Sequence, residues 1–78
     1  MALSRAFIVN RVFVANKWLQ QHTGRSVGDA AEADLKAFLD GVPDAHRERT
    51  LAALVAYGDD LVRKGRARRN IARVIQLP

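Results

Sequence analysis

The chain has 78 residues, enough for one small domain, and its 49% apolar and 27% charged residues indicate a folded globular protein rather than a disordered one. It contains no cysteine, which excludes disulfides and thiolate metal sites, and its two histidines, His22 and His46, are far apart in sequence. We therefore expect no metal and no cofactor. The uninterrupted apolar runs are too short to span a bilayer, so we expect no membrane partner and a cytoplasmic location.

The formal charge of +5 is unevenly distributed along the chain. Residues 1–28 contain four basic residues and no acid, residues 29–60 contain all eight acids, and residues 61–78 contain six basic residues and no acid. Two basic ends therefore flank an acidic middle. Clustered positive charge favours a polyanionic partner such as the phosphate backbone of a nucleic acid, because each neutralised phosphate releases condensed counterions.

The first predicted helix covers residues 4–21. Its apolar stripe has the spacing of one helical face and consists of Ile8, Val12, Ala15 and Leu19. Further apolar residues lie outside this stripe: Leu3, Phe7, Val9, Phe13 and Val14. Such a helix is either surrounded by the other helices or offers a second surface to a partner. We favour the first interpretation, which places Trp18 in the core.

Helix two is predicted to begin at Asp29, because Asp29 and Glu32 have the spacing of a capping box. Gly41 and Pro43 are expected to end it. Its predicted buried face consists of Ala31, Leu35, Phe38, Leu39 and Val42.

Helix three is predicted to begin with Asp44 as its N-cap and to end at Gly65. Its predicted core stripe consists of Leu51, Leu54, Val55, Gly58, Leu61 and Val62. A short fourth helix is expected over residues 67–75, with three apolar residues turned inward: Ile71, Val74 and Ile75.

No segment alternates as a strand would, so we predict an all-α fold, a compact four-helix bundle that forms one domain over residues 1–78. The residues expected to be buried are Ile8, Val12, Trp18, Leu35, Phe38, Leu39, Leu51, Leu54, Leu61 and Val74.

Catalytic residues are not apparent in the sequence. Asp59 and Asp60 are adjacent, but neighbouring residues of a helix point about 100° apart, so they are expected to form a solvated acidic face. Tyr57, the only tyrosine, lies beside the core stripe of helix three and is expected to pack there. Because no nucleophile has an activating partner, we expect this chain not to be an enzyme.

The basic residues differ in whether the helix dipole favours a positive charge at their positions. Arg63 and Lys64 lie at the predicted C-terminus of helix three, where the helix dipole favours cations. The dipole disfavours cations at helix starts, yet basic residues occur at the predicted starts of helices three and four: His46, Arg47, Arg49, Arg68 and Arg69. A helix start with added arginines is suited to bind phosphate. The alternative is that Asp44 and Glu48 neutralise the first group.

A family pattern accompanies these features. Helix one has Ser4 followed by spaced apolar residues and the pair Trp18-Leu19. Helix two contains Asp34-Leu35 and Phe38-Leu39, helix three contains Ala53-Leu54 and Tyr57 before Gly65, and the chain closes with Asn70-Ile71-Ala72 and Leu77-Pro78. In this order and spacing the chain resembles the N-terminal SAM-like core-binding domain of tyrosine recombinases, the phage integrase family. Ile71 stands where the family often has proline, and Ile8 where it has an aromatic residue.

The resemblance implies that this chain is a fragment of a longer recombinase and that it grips duplex DNA as half of a C-shaped clamp. A catalytic domain of the same parent chain would follow and would supply the Arg, His-x-x-Arg and tyrosine residues. Other recombinase subunits on DNA would be further partners. The residues expected to contact DNA are Ser4, Arg5, Arg11, His46, Arg47, Arg49, Lys64, Arg66, Arg68 and Arg69.

A different class of function stays open at this point. The additional apolar surface of helix one is also compatible with a small helical module for protein–protein interaction. Salt-dependent DNA binding would favour the first interpretation, and a salt-insensitive stoichiometric partner would favour the second. A small hydrolytic enzyme is a third alternative with little support.

Overall fold

Three α-helices pack around a single core in the computed structural model, which describes residues 3–77. Helix α1 comprises Arg5–Thr23, α2 comprises Glu32–Asp40, α3 comprises Asp44–Arg63, and a single 3₁₀ turn comprises Ile71–Val74. No strand occurs within these described residues, so the all-α prediction is confirmed for them. The predicted four-helix bundle is not confirmed. Pro78, which belongs to the family pattern, lies outside the described residues.

Helix α1 begins within one residue of its predicted start and ends two residues later than predicted. The Ser4 hydroxyl caps it by accepting a hydrogen bond from the Phe7 backbone N–H at 3.1 Å. Gly24, with φ of +73°, ends it in the left-handed conformation that glycine adopts without steric cost. In the predicted stripe, Ile8 is half-buried and the other three residues are buried.

Helix α2 begins three residues later than predicted. Ala31 is its N-cap, and the Ala31 backbone N–H donates to the Asp34 carboxylate at 3.3 Å. The prediction that Asp29 caps this helix is therefore wrong. Asp29 lies in a turn, where its backbone N–H donates to the Ser26 carbonyl oxygen at 3.1 Å. Ala31 is exposed rather than buried because the cap position lies outside the packed face of the helix.

Helix α3 follows after a very short connection. Pro43 is the N-cap residue, so Asp44 is the first residue of the helix and not its cap as predicted. Gly65 ends α3 as predicted: it has φ of +73°, and the Arg66 N–H donates to the Leu61 carbonyl oxygen at 2.8 Å. This Schellman arrangement satisfies carbonyl groups at the end of the helix and directs the chain back toward the core.

The predicted fourth helix is wrong, because residues 66–70 are irregular and only one 3₁₀ turn follows them. Three arginines within four residues repel one another, and a helix start adds an unfavourable dipole. Asn70 is extended, and its side-chain oxygen accepts a hydrogen bond from the Ala72 N–H at 3.2 Å, which competes with regular helix formation. Val74 is consequently 54% exposed, whereas Ile75 is buried.

Most large residues of the predicted core lie inside. Those that are buried are Val12, Leu35, Phe38, Leu39 and Leu54, and those that are half-buried are Ile8, Trp18, Leu51 and Leu61. The predictions for Val62 and Val74 are wrong, since both are exposed. Small buried residues that the prediction omitted are Ala30, Thr50, Ala53 and Ala72. Small side chains let neighbouring helices approach closely, which a chain of this length needs to form an efficient core.

Asn70 connects the C-terminal segment to the middle of α3. Its side-chain amide donates to the Val55 carbonyl oxygen at 2.8 Å and to the Asp59 carboxylate at 2.9 Å. Arg73 donates from Nε to the same carboxylate at 2.7 Å. Asp59 is therefore not part of a merely solvated acidic face, because it holds residues 70–73 against α3.

The hydrogen bond from Arg73, followed by that from Asn70, lowers the pKa of Asp59 to about 2. An unfolded aspartate has a pKa of about 3.9, so the unfolded chain binds this proton first as the pH falls. We expect Asp59→Asn to reduce the free energy of unfolding at neutral pH. The difference between parent and variant should stay constant above about pH 5 and shrink as the pH falls toward 2.

Urea unfolding followed by circular dichroism at several pH values measures this difference. Asp60→Asn is the matched control: within residues 3–77 Asp60 pairs with Arg63 and Lys64 of the same helix end, which also lower its pKa, so this variant should show a smaller pH-dependent difference than Asp59→Asn. A difference between parent and Asp59→Asn that is independent of pH down to about 2 would contradict the role of the carboxylate charge.

Candidate nucleic-acid interface

Arg47, which the dipole argument assigned to phosphate, is bound within the protein. Its guanidinium donates to the carbonyl oxygens of Leu39 and Val42, both at 2.8 Å, and also to that of Asp40 at 3.3 Å. It also lies 2.7 Å from the Asp44 carboxylate. These carbonyls belong to the last two residues of α2 and to the connection after it, so Arg47, in the first turn of α3, satisfies acceptors at the C-terminus of α2. Its donors are largely occupied, and we leave it out of the candidate site.

Arg49 and Arg11 are brought together around one aromatic ring. The guanidinium of Arg49 lies 4.7 Å from the centroid of the Phe7 ring, and that of Arg11 lies 5.9 Å from it. Cation–π contacts of this kind leave the N–H donors at the edge of a guanidinium available to a further partner. Arg49 is exposed, so it retains the capacity to contact phosphate, whereas Arg11 is half-buried and donates from Nε to the side-chain oxygen of Asn10 at 3.1 Å.

The other predicted contact residues of α1 and α3 have different surroundings. The Ser4 hydroxyl accepts the capping hydrogen bond of α1, which gives it a structural role. Lys64 lies 2.9 Å from the Asp60 carboxylate, and its hydrogen bond, followed by that of Arg63, lowers the pKa of Asp60. Arg5 and His46 are exposed.

The segment of residues 66–69, here named the arginine loop, carries the largest unneutralised charge. Arg66, Arg68 and Arg69 are all exposed, and none forms an ion pair with any residue of the described range 3–77. Two acids of α3 are engaged elsewhere: Asp59 pairs with Arg73, and Asp60 pairs with Arg63 and Lys64. The loop therefore presents three positive charges to solvent.

The arginine loop faces the turn that precedes α2. The loop, residues 28–31 and Ile71 line an open cleft of about 450 Å³. The carboxylate-bearing residue Asp29 also lines the cleft, so the most favourable position for an anion is on the outer side of the loop, away from this acid. The sequence predicts Arg68 and Arg69 at a helix start, whereas the structure places them on a loop between Gly65 and Asn70.

The predicted basic residues do not form one continuous site. Arg49 lies near the start of α3 and the arginine loop follows its end, so most of a helix separates them, about 20–25 Å at about 1.5 Å per residue. The structure thus gives two basic groups, the Arg11–Arg49 pair and the arginine loop.

Other kinds of site find no support within the described residues. No three histidine, aspartate or glutamate residues are grouped so that they could bind a metal. None of the helices described has both the length and the apolar character that crossing a membrane requires. Comparison of the chain with protein-family models, with curated proteins and with solved structures gave no match.

Proposed function

We propose that this chain is a DNA-binding domain that grips the phosphate backbone of duplex DNA through the arginine loop. The exposure of three arginines within four residues, none of them ion-paired with an acid of residues 3–77, carries this proposal. Bringing such charges together is unfavourable unless a polyanion compensates them, and release of counterions from DNA supplies that compensation. The Arg11–Arg49 pair supplies a second, weaker set of contacts.

The sequence resemblance extends the proposal to the SAM-like core-binding domain of a tyrosine recombinase. In that role the domain positions DNA for a separate catalytic domain, and phosphate contacts give affinity with little choice of sequence. The described residues support the helical part of this assignment but give only a 3₁₀ turn in place of the fourth helix. Tyr57 is half-buried and packs against the core, which supports the proposal that this chain alone does not cleave DNA.

We expect the domain to bind duplex DNA weakly and with strong dependence on salt. The logarithm of the association constant should fall by about 0.9 per logarithmic unit of salt for each phosphate neutralised. Arg68→Ala and Arg69→Ala should each weaken binding to unrelated duplexes to a similar degree and reduce this slope by about one. Fluorescence anisotropy with labelled duplexes at several salt concentrations between about 50 and 200 mM measures both quantities.

Arg63→Ala is the matched control, since Arg63 is an exposed arginine of the same region that pairs with Asp60. It should change the salt slope less than either loop variant. Arg47→Ala should lower the midpoint of thermal unfolding but leave the salt slope of DNA binding by the folded protein unchanged, because the N–H donors of Arg47 bind carbonyl oxygens at the end of α2. Loop variants that titrate DNA like the parent would contradict the assignment of the loop, and a parent without salt-dependent binding would refute the function.

A further inference from the structure

The outer side of α1 bears an apolar seam that no part of residues 3–77 covers. Val9 is 59% exposed, Phe13 is 67% exposed, and Ala6 beside them is also exposed. The expectation that α1 is enclosed by the other helices is therefore wrong on this side. The core uses a different side of α1, which carries Val12, Ala15 and Leu19.

The spacing of the seam is that of a helix–helix contact. Ala6, Val9 and Phe13 are separated by three and then four residues, which is the a-d-a pattern that one helix presents to another. Helices that lie flat on a lipid surface need a much broader apolar face. Here the exposed Asn10 borders the seam, and the exposed Gln20 occupies the next a position after Phe13, so the seam is too narrow and too short to lie on lipid and suits one partner helix.

The charged residues beside the seam indicate which kind of partner helix would bind there. In this register Arg5 and Lys17 occupy flanking positions, where residues of the two helices of a pair meet across the interface. Both are exposed, neither forms an ion pair within residues 3–77, and α1 contains no acid. A partner with acidic flanks is therefore complementary in charge.

A second copy of this chain fits less well. Two α1 helices paired through the seam would leave Arg5 and Lys17 without an acidic partner, because α1 contains no acid. The acids of the chain lie on α2, on α3 and in the turn before α2, and the apolar faces of these two helices are already buried in the core. None of the other helices described thus combines an exposed apolar seam with acidic flanks.

We infer that the seam formed by Ala6, Val9 and Phe13 is a docking surface for an amphipathic helix with acidic flanks from another protein or protein segment. This surface is made of residues different from those of the arginine loop. The domain can therefore bind DNA and a protein helix through separate surfaces.

Two synthetic helical peptides test the inference. Both carry leucine at the a and d positions, and they differ only in bearing glutamate or lysine at the flanking positions. We expect the parent to bind the glutamate peptide at least about tenfold more tightly than the lysine peptide, as measured by fluorescence anisotropy. Arg5→Glu combined with Lys17→Glu should reverse this preference, a result that a general loss of folding would not produce.

Val9→Ser combined with Phe13→Ser should weaken binding of the glutamate peptide at least about tenfold. Val62→Ser combined with Val74→Ser is the matched control, because both valines are exposed but lie outside α1, and it should bind like the parent. DNA affinity should be the same in both double variants and in the parent, which separates this inference from the proposed function.

Several results would overturn the inference. Equal affinity for the two peptides, or binding of neither, would contradict the inference that the seam binds a helix with acidic flanks. A dimer in sedimentation equilibrium that is lost on Val9→Ser and Phe13→Ser would make the occupant a second copy. Binding to anionic phospholipid vesicles through the same two residues would make it a lipid surface, and loss of DNA binding in that variant would assign the seam to DNA.

Discussion

Replacing Leu54 with alanine is expected to lower the free energy of unfolding by about 2–5 kcal/mol. Leu54 has no exposed surface and lies in the middle of α3, within the single core cluster. The change removes the transfer free energy of the lost side-chain atoms and leaves a cavity that the rigid helices fill incompletely. A domain of this length has a total stability of about 4–12 kcal/mol, so the loss is a large part of it.

Urea unfolding monitored by circular dichroism measures the effect of Leu54→Ala. Val62→Ala is the control on the same helix, because Val62 is 39% exposed, and it should cost less than about 1 kcal/mol. A change in the midpoint without a change in the slope of the transition shows that the native state itself is affected. Similar losses for the two variants would contradict the placement of Leu54 in the core.

Helical periodicity predicted most of this fold because each of the three long helices has a clear apolar stripe. The stripe of α1 and the residues Leu35, Phe38 and Leu39 of α2 lie where their spacing indicated. Helix ends were harder to predict. Asp29 and Asp44 are residue types that cap helices well. The N-cap of α2 is nevertheless Ala31 and that of α3 is Pro43, because the geometry of each connection decides which residue meets the first free N–H groups.

The absence of a fourth α-helix could not be predicted, because it depends on a contact with residues far away in the sequence. Asn70 reaches across to α3, where the carbonyl oxygen of Val55 and the carboxylate of Asp59 accept its amide hydrogens. These hydrogen bonds fix an extended residue in the middle of the segment that the pattern predicted to be helical. Local propensity contains no information about partners 11 and 15 residues earlier in the chain.

The candidate site was predictable in its charge but not in its arrangement. The helix dipole gives no reason for Arg47 at a helix start, yet the end of α2 lies beside it and supplies carbonyl oxygens to its guanidinium. Arg49 was in the same turn, and the Phe7 ring covers part of its guanidinium instead. Whether an arginine serves the fold or a ligand depends on what the neighbouring helix presents, which sequence spacing does not reveal.

The second prediction with a large expected effect concerns Gly58, in the interior of α3. A Cβ atom at this position would lie 2.1 Å from the side-chain oxygen of Asn70, far inside contact distance. Glycine ordinarily costs a helix about 1 kcal/mol relative to alanine, so helix propensity alone predicts that Gly58→Ala stabilises the protein. The structure predicts the opposite, because the new methyl group must displace Asn70.

The expected loss follows from the hydrogen bonds of Asn70. Its side chain makes three of them, to Val55, Asp59 and Ala72. At about 1 kcal/mol each they exceed the gain in helix propensity, so Gly58→Ala should lower the free energy of unfolding by about 2 kcal/mol. Thermal and urea unfolding of the variant measure this value.

A double-mutant cycle separates this explanation from a general intolerance of α3 to substitution. Asn70→Ala alone should be destabilising through loss of the same hydrogen bonds, but it also removes the three atoms that lie nearest to the methyl group introduced by Gly58→Ala. Gly58→Ala added to Asn70→Ala should therefore be neutral or stabilising by up to about 1 kcal/mol, a strongly non-additive result. If the two changes instead add, the close approach of Asn70 is not what requires glycine in α3.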